Sequence, residues 1–230
     1  MPNTIKRYPY QHQSYKKDQS IIQDKLSVDW TKYVTTDGFK HFFQGNPLLS
    51  VSTLLSGLNS VKFAKIPDQS LNTAQMVGSQ LMEWLEHIHT KKLKYPDVEK
   101  LNFQSEQIKQ MVLKLFEFLV LNDFKILEVE KMLCNGFVYG YADLIVFDKL
   151  MKSPAIIEIK TRNNNDLQNT DIIQAVTYGR LIHNQNLPVW VLIINKKTFN
   201  ITLHRIRLNH KVVKAANGFI SAFLDKKYCI

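Results

Sequence analysis

The chain has 230 residues, enough for one large domain or for a core with a helical extension. Its 45% hydrophobic and 11% aromatic content suits a sizeable core, and its net charge of +10 predicts attraction to polyanions, most simply nucleic acid, with a generally basic soluble protein as the plainer alternative. Two cysteines, Cys134 and Cys229, lack zinc-site spacing and are too few for an iron–sulfur cluster, and no apolar run reaches the roughly 18 residues of a membrane span.

Residues 1–45 read as a basic, aromatic arm. Lys6, Arg7, Lys16 and Lys17 alternate with Tyr8, Tyr10 and Tyr15, and Trp30, Tyr33, Phe39, Phe42 and Phe43 follow. Basic residues among aromatics suit single-stranded nucleic acid, whose bases stack and whose phosphates pair. A disordered tail is the alternative. The first 17 residues lack the apolar centre of a secretory signal, while their basic residues leave room for a transit peptide.

Residues 46–124 read as a helical region. Ser50 or Ser52 would cap a short helix through Leu58. Val77, Leu81, Trp84, Leu85 and Ile88 recur at helical spacing and predict a helix over 72–90, ended by Pro96. Ile108, Met111, Val112, Leu115, Phe116, Leu119 and Val120 predict a second over 103–121.

From residue 125 the period becomes alternating. It predicts a strand over 126–133, a hairpin at Asn135-Gly136, a return strand over 137–148 and a third strand over 155–160. Thr170 would cap a helix to about residue 183. Strands over 189–194 and 199–207 and a helix over 209–225 follow. This order predicts an α/β fold for residues 125–230: a mixed central sheet flanked by helices, with the helical region before it.

Three charges interrupt the apolar strands. Asp143 lies within Tyr139-Gly140-Tyr141-Ala142-Asp143-Leu144-Ile145, and Glu158 and Lys160 within Ile156-Ile157-Glu158-Ile159-Lys160-Thr161. Buried charges are costly unless paired or bound to a metal. Glu158 and Lys160 are two apart on a strand and share a face; neighbouring strands would bring Asp143 to them. Two carboxylates repel unless a cation joins them, and hard oxygen ligands favour Mg2+ or Mn2+. The Ile159 carbonyl would add an oxygen, and Lys160 would hold water and offset phosphate charge. A Lys–Glu pair on a half-exposed strand is the purely structural alternative.

Asp143 followed by Glu158-Ile159-Lys160 resembles the PD-(D/E)xK nuclease signature, and the flanking residues resemble its RecB-type exonuclease branch. That branch includes the nuclease domains of RecB and AddB, the CRISPR-adaptation nucleases and the mitochondrial genome maintenance exonuclease. Gln174 and Tyr178 match the branch's Q-x-x-x-Y helix motif. Gly78 to Glu86 is similar to its G-x-x-x-H-x-x-x-E helix, with Met82 at the histidine position. Ser50 to Leu55 is similar to the P-S-V-T-x-[IL]-L segment of the mitochondrial type.

The resemblance implies a restriction-endonuclease-like core and a DNA exonuclease using one or two Mg2+ or Mn2+ ions on single strands or free ends. Asp143, Glu158 and Lys160 would be catalytic. Asp143, Glu158 and Ile159 would hold metal, with Glu86 substituting for the histidine. Gln174, Tyr178, Glu130, Thr161, Ser50 and Ser52 would support the site or touch DNA. It implies replication, recombination or repair, proteins of those processes as partners, no membrane, and an intracellular setting: cytoplasm, nucleoid or a DNA-containing organelle such as the mitochondrion. Neither an iron–sulfur cluster nor a nucleotide is expected, since the cluster cysteines and a G-x-x-x-x-G-K-[ST] loop are absent. A structure-specific endonuclease and a non-catalytic nucleic-acid-binding subunit are the alternatives.

Overall fold

The computed structural model describes residues 28–38, 40–55, 68–181 and 188–206, together with residues 214, 217 and 218. The tyrosines of the first 17 residues, the helix continuing to Leu58 and most of the helix over 209–225 lie outside the described residues.

Two long strands form the spine. β5 (Phe124–Cys134) turns through residues 135–138 into β6 (Val138–Asp148). The Asn135 side chain accepts from the backbone N–H groups of Phe137 and Val138 at 3.1 and 2.9 Å. Gly136 follows at φ +90°, a conformation that favours glycine. This is the physical content of the Asn-Gly hairpin signal. β7 (Ser153–Arg162) runs antiparallel to β6. Helix α4 (Asn169–Leu181) then crosses over to β8 (Val189–Asn195), which is parallel to β7, and β9 (Ile201–Ile206) returns antiparallel. A two-residue strand, β4 (Leu49–Ser50), pairs in parallel with Val138 and Tyr139. The sheet is therefore mixed, as the element order predicts.

Helices cover both faces. Helix α4 and the helical turn over 51–55 pack on one face through Val51, Leu54, Ala175, Val176 and Leu181 against Val138, Ala142, Ile156, Val191 and Ile193. On the other lie α1 (Asp68–Lys91), the single turn α2 (Tyr95–Val98) and α3 (Glu106–Leu121). Burial on both faces explains why β7 and β8 read as continuous apolar runs rather than alternating ones. Helix α3 starts at a Ser105 cap that accepts from the Ile108 N–H at 3.4 Å. It buries Ile108, Met111, Val112, Leu115, Phe118 and Leu119, each worth roughly 1.5–3 kcal/mol of transfer free energy. Helix α1 ends at Lys91, next to its expected end at residue 90, and Pro96 lies beyond it. Lys92 takes φ +53°, and the proline sits in the first turn of α2, where its missing N–H costs nothing.

Residues 34–45, read from sequence as part of an arm, and residues 46–47, read as the start of the helical region, form a small antiparallel meander instead. It comprises β1 (Val34–Asp37), β2 (Lys40–Phe43) and β3 (Asn46–Pro47). Val34, Leu48, Met132, Cys134 and Tyr139 make its own core, with Trp30 and Phe43 against it. The strands are only two to four residues long, too short for an alternating pattern to stand out.

Candidate active site

The site lies where the sheet splits. β5 occupies one edge of β6 along most of its length. On the other edge β7 pairs only from Leu144–Ile157 to Asp148–Ser153, and β4 takes over at Val138 and Tyr139. Among the described residues, 140–143 have no strand partner on that edge, while β7 beyond Ile157 continues beside β8 alone. Asp143 and Glu158 sit at this fork.

Side-chain placement follows from the pleat. On β7, Ala155, Ile157 and Ile159 face α1 and α3, so Ile156, Glu158 and Lys160 face α4. On β6 the alternation breaks. Ala142 and Ile145, three apart, both face α4, whereas Leu144 and Val146 face the other helices. The break falls at Asp143, and β5 distorts opposite it. Val129 pairs with Leu144 and Lys131 with Ala142, which sets Glu130 across from Asp143, at φ +48°. A left-handed glutamate within a strand is strained.

The fork is closed by side chains. The Ile159 N–H donates to Asp143 Oδ2 at 2.6 Å, and the Asp143 N–H points to Glu158 Oε1 at 3.4 Å. Lys160 Nζ lies 3.4 Å from Glu158 Oε2, and Gln174 Nε2 donates to the same oxygen at 2.9 Å. One turn along α4, Tyr178 donates its hydroxyl to the Tyr141 carbonyl at 2.8 Å and lies 3.4 Å from Gln174 Nε2. Gly140 makes this approach feasible. A Cβ there would sit 2.7 Å from Tyr178 Cε1 and 2.9 Å from Val51 Cγ2.

Burial sets the electrostatics. Glu158 is fully buried, and desolvation, with the nearby Asp143 charge, pushes its carboxyl up to about 8. Burial also raises Asp143, against the pull of Lys160 and the Ile159 N–H. Burial alone would lower Lys160, but Glu158, Asp143 and Asp171 outweigh it, so the ammonium stays charged. Tyr178 is raised by burial and by Glu158. Glu130 is raised by burial and then by Asp143, Glu86 and Glu83. The carboxyl groups therefore form one electrostatically linked series from the fork across β5 to α1.

The structure thus brings together Asp143, Glu158, Lys160, Gln174 and Tyr178, with Glu130 alongside. Glu86 is exposed on α1 and acts electrostatically on Glu130; no described interaction joins it to Asp143 or Glu158. Met82 is core, packed with Leu81 and Leu85. Ser50 caps the turn over 51–55 through the Thr53 N–H at 2.9 Å, Ser52 is exposed, and Thr161 falls on the Ile159 side of β7 by alternation. Two supporting residues escape the sequence reading. Arg162 ion-pairs with the buried Asp171 and donates to the Asp166 carbonyl at 2.9 Å; Asp171 also accepts from the Gln168 N–H at 2.8 Å. This clasp fixes the start of α4, hence Gln174 and Tyr178. Its only sequence signal is that Arg162 continues the Glu158–Lys160 face.

Among the described residues, no three His, Cys, Asp or Glu side chains converge as a ready-made metal cage. The donor set that does converge fits a hard cation sharing its shell with water and substrate. It consists of two desolvated carboxylates, both held short of easy ionisation by burial.

No family model matches the chain. An uncharacterized protein of Ureaplasma parvum serovar 3 is 29% identical over 174 residues, covering 72% of this chain and 82% of that protein. A solved Eubacterium rectale protein with a provisional exonuclease assignment superposes at a TM-score of 0.49 and 14% identity, over 78% of this chain and 79% of the other. A likeness that distant carries no functional weight. Among the described residues no helix is long and apolar enough to cross a membrane.

Proposed function

We propose that the chain is a metal-dependent nuclease that hydrolyses DNA phosphodiester bonds, taking single strands or free ends in replication, recombination or repair. The observation that carries this reading is the convergence of Asp143, Glu158 and Lys160 at the split between β6 and β7, with Gln174 holding Glu158. Asp143, Glu158 and the Ile159 carbonyl are the groups that would hold Mg2+ or Mn2+. Such an ion, when bound, supplies Lewis acidity toward a phosphate oxygen and acidifies coordinated water.

The chain's own residues do the rest. The Lys160 ammonium, kept charged by its carboxylate neighbours, orients water and offsets phosphate charge. Gln174 and Tyr178 fix the Glu158 carboxylate and the β6 backbone. The net charge of +10 favours encounter with DNA. End-labelled single-stranded and duplex DNA with Mg2+ or Mn2+ tests the reading. Wild type should release nucleotides from ends, and Lys160→Ala should lose at least about a hundredfold in rate. Equal rates, or no cleavage by wild type, refute it. Cutting of circular single-stranded DNA would make the enzyme an endonuclease. A non-catalytic binding subunit is the second reading, favoured by the burial of Met82 at the position where the similar helix motif carries histidine.

A further inference from the structure

Beside the fork stand rings that the carboxylate chemistry does not use. Tyr141, two residues before Asp143, is 42% exposed, and the Tyr178 hydroxyl bonded to its carbonyl fixes the backbone beneath it. Its ring meets Tyr139 edge-on at 6.3 Å, and Tyr139 stacks on His41 of β2 at 4.3 Å. His41 and Phe43 are two apart on β2 and share a face. Phe43 meets Trp30 at 5.9 Å, and Trp30 meets Tyr33 at 6.3 Å. Tyr33 is 60% exposed. Two sets of touching rings, Tyr141–Tyr139–His41 and Phe43–Trp30–Tyr33, therefore meet through β2, with Tyr139 buried between them and Tyr141 and Tyr33 exposed at the outer ends.

We infer that Tyr141 and these rings are a stacking platform for the bases of one nucleic-acid strand whose backbone passes the Asp143–Glu158 fork. The inference rests on the nuclease reading and names the side from which the strand arrives. Three observations choose this occupant. Tyr141 precedes Asp143 by two residues on the same strand, so a base on its exposed ring would bring the adjoining phosphate toward the Asp143 end of the fork. The chain is strongly basic, as a polyanion requires. The exposed members are aromatic rather than aliphatic, and every base offers a π face regardless of sequence, whereas bases inside a duplex are already stacked. Tyr139 and His41 brace the outer rings.

The test reads binding without catalysis. Fluorescence anisotropy of a labelled oligothymidylate in EDTA should show Tyr141→Ala weakening affinity about tenfold, Tyr141→Phe retaining it, and Tyr33→Ala weakening it less. Affinity for blunt duplex should barely change in any of them. The portion of tryptophan emission that Trp30→Phe removes should be quenched by the oligomer in the wild type. Unchanged affinity in Tyr141→Ala, or equal losses on single strand and duplex, overturns the inference. So does a wild-type dimer that Tyr141→Ala dissociates, since the rings would then be a protein interface. Because binding is read in EDTA, a wild type that binds but cleaves with neither Mg2+ nor Mn2+ refutes the nuclease reading separately.

Discussion

Gly140→Ala probes the coupling between sheet and helix that holds the site. The added methyl would meet Tyr178 Cε1 at 2.7 Å, Val51 Cγ2 at 2.9 Å and the Tyr178 hydroxyl at 3.1 Å. None of these atoms ends a flexible chain: Tyr178 is 3% exposed, Val51 1%, and the phenol is tied to the Tyr141 carbonyl. Overpacking of this kind costs about 1–3 kcal/mol. Losing the Tyr178 bond adds about 1 kcal/mol. The reduced freedom of the unfolded chain returns about 0.4–1 kcal/mol. The net loss is about 2 kcal/mol, or roughly 4–8 °C in Tm for a chain this size. Denaturant midpoints of the single and double variants provide the assay. Gly140→Ala should cost clearly less in a Tyr178→Ala background, because two of the three close contacts vanish. Nuclease activity should fall with the single variant, since displacing Tyr178 disturbs its neighbour Gln174. A Gly140→Ala protein as stable as wild type, or strictly additive costs, would refute the reasoning.

Three further outcomes follow from the same geometry. Glu158 holds its proton up to about pH 8 in the fold against 4.5 when unfolded. Between those values the folded state binds more protons, so stability falls as pH rises through the window, by a few kcal/mol in all, and levels off above it. Midpoints in EDTA at pH 5.5, 7 and 8.5 should show this fall in wild type and lose most of it in Glu158→Gln; identical slopes would count against the buried-carboxyl account. Mg2+ should raise Tm more at pH 8.5 than at 5.5. Arg162→Ala strands the buried Asp171 and should cost about 3–5 kcal/mol in urea melts, with Arg162→Ala/Asp171→Asn recovering part of it. A loss under about 1 kcal/mol would mean that the clasp does not anchor α4.

Much of the sheet was legible in sequence because its signals are local. Asn135-Gly136 specifies a turn by its own side-chain chemistry, and charges within the apolar runs of β6 and β7 mark themselves by their cost. Gln174 and Tyr178 are legible as a pair because four residues return to one helical face. What stayed hidden depends on contacts distant in the chain. The left-handed turn at Glu130 has no glycine to announce it; it answers the broken alternation at Asp143 on the next strand. Glu86 shares a helical face with Met82 only nominally, since the packing of α1 draws Met82 into the core and leaves Glu86 outside. The Arg162–Asp171 clasp joins a strand end to a helix start across a loop whose path the sequence does not dictate. The meander over 34–47 consists of strands too short to show a period.

The split sheet has a consequence for what can be observed. The amides of Asp143 and Ile159 are held by carboxylates rather than by a neighbouring strand's carbonyls. Hydrogen exchange at these two positions therefore reports the occupancy and protonation of the fork. A cation or phosphate that recruits the Asp143 and Glu158 oxygens changes the protection of backbone protons, while amides one residue away in the β5–β6 ladder stay silent. The chain thus carries a spectroscopic gauge of its own site, readable without turnover.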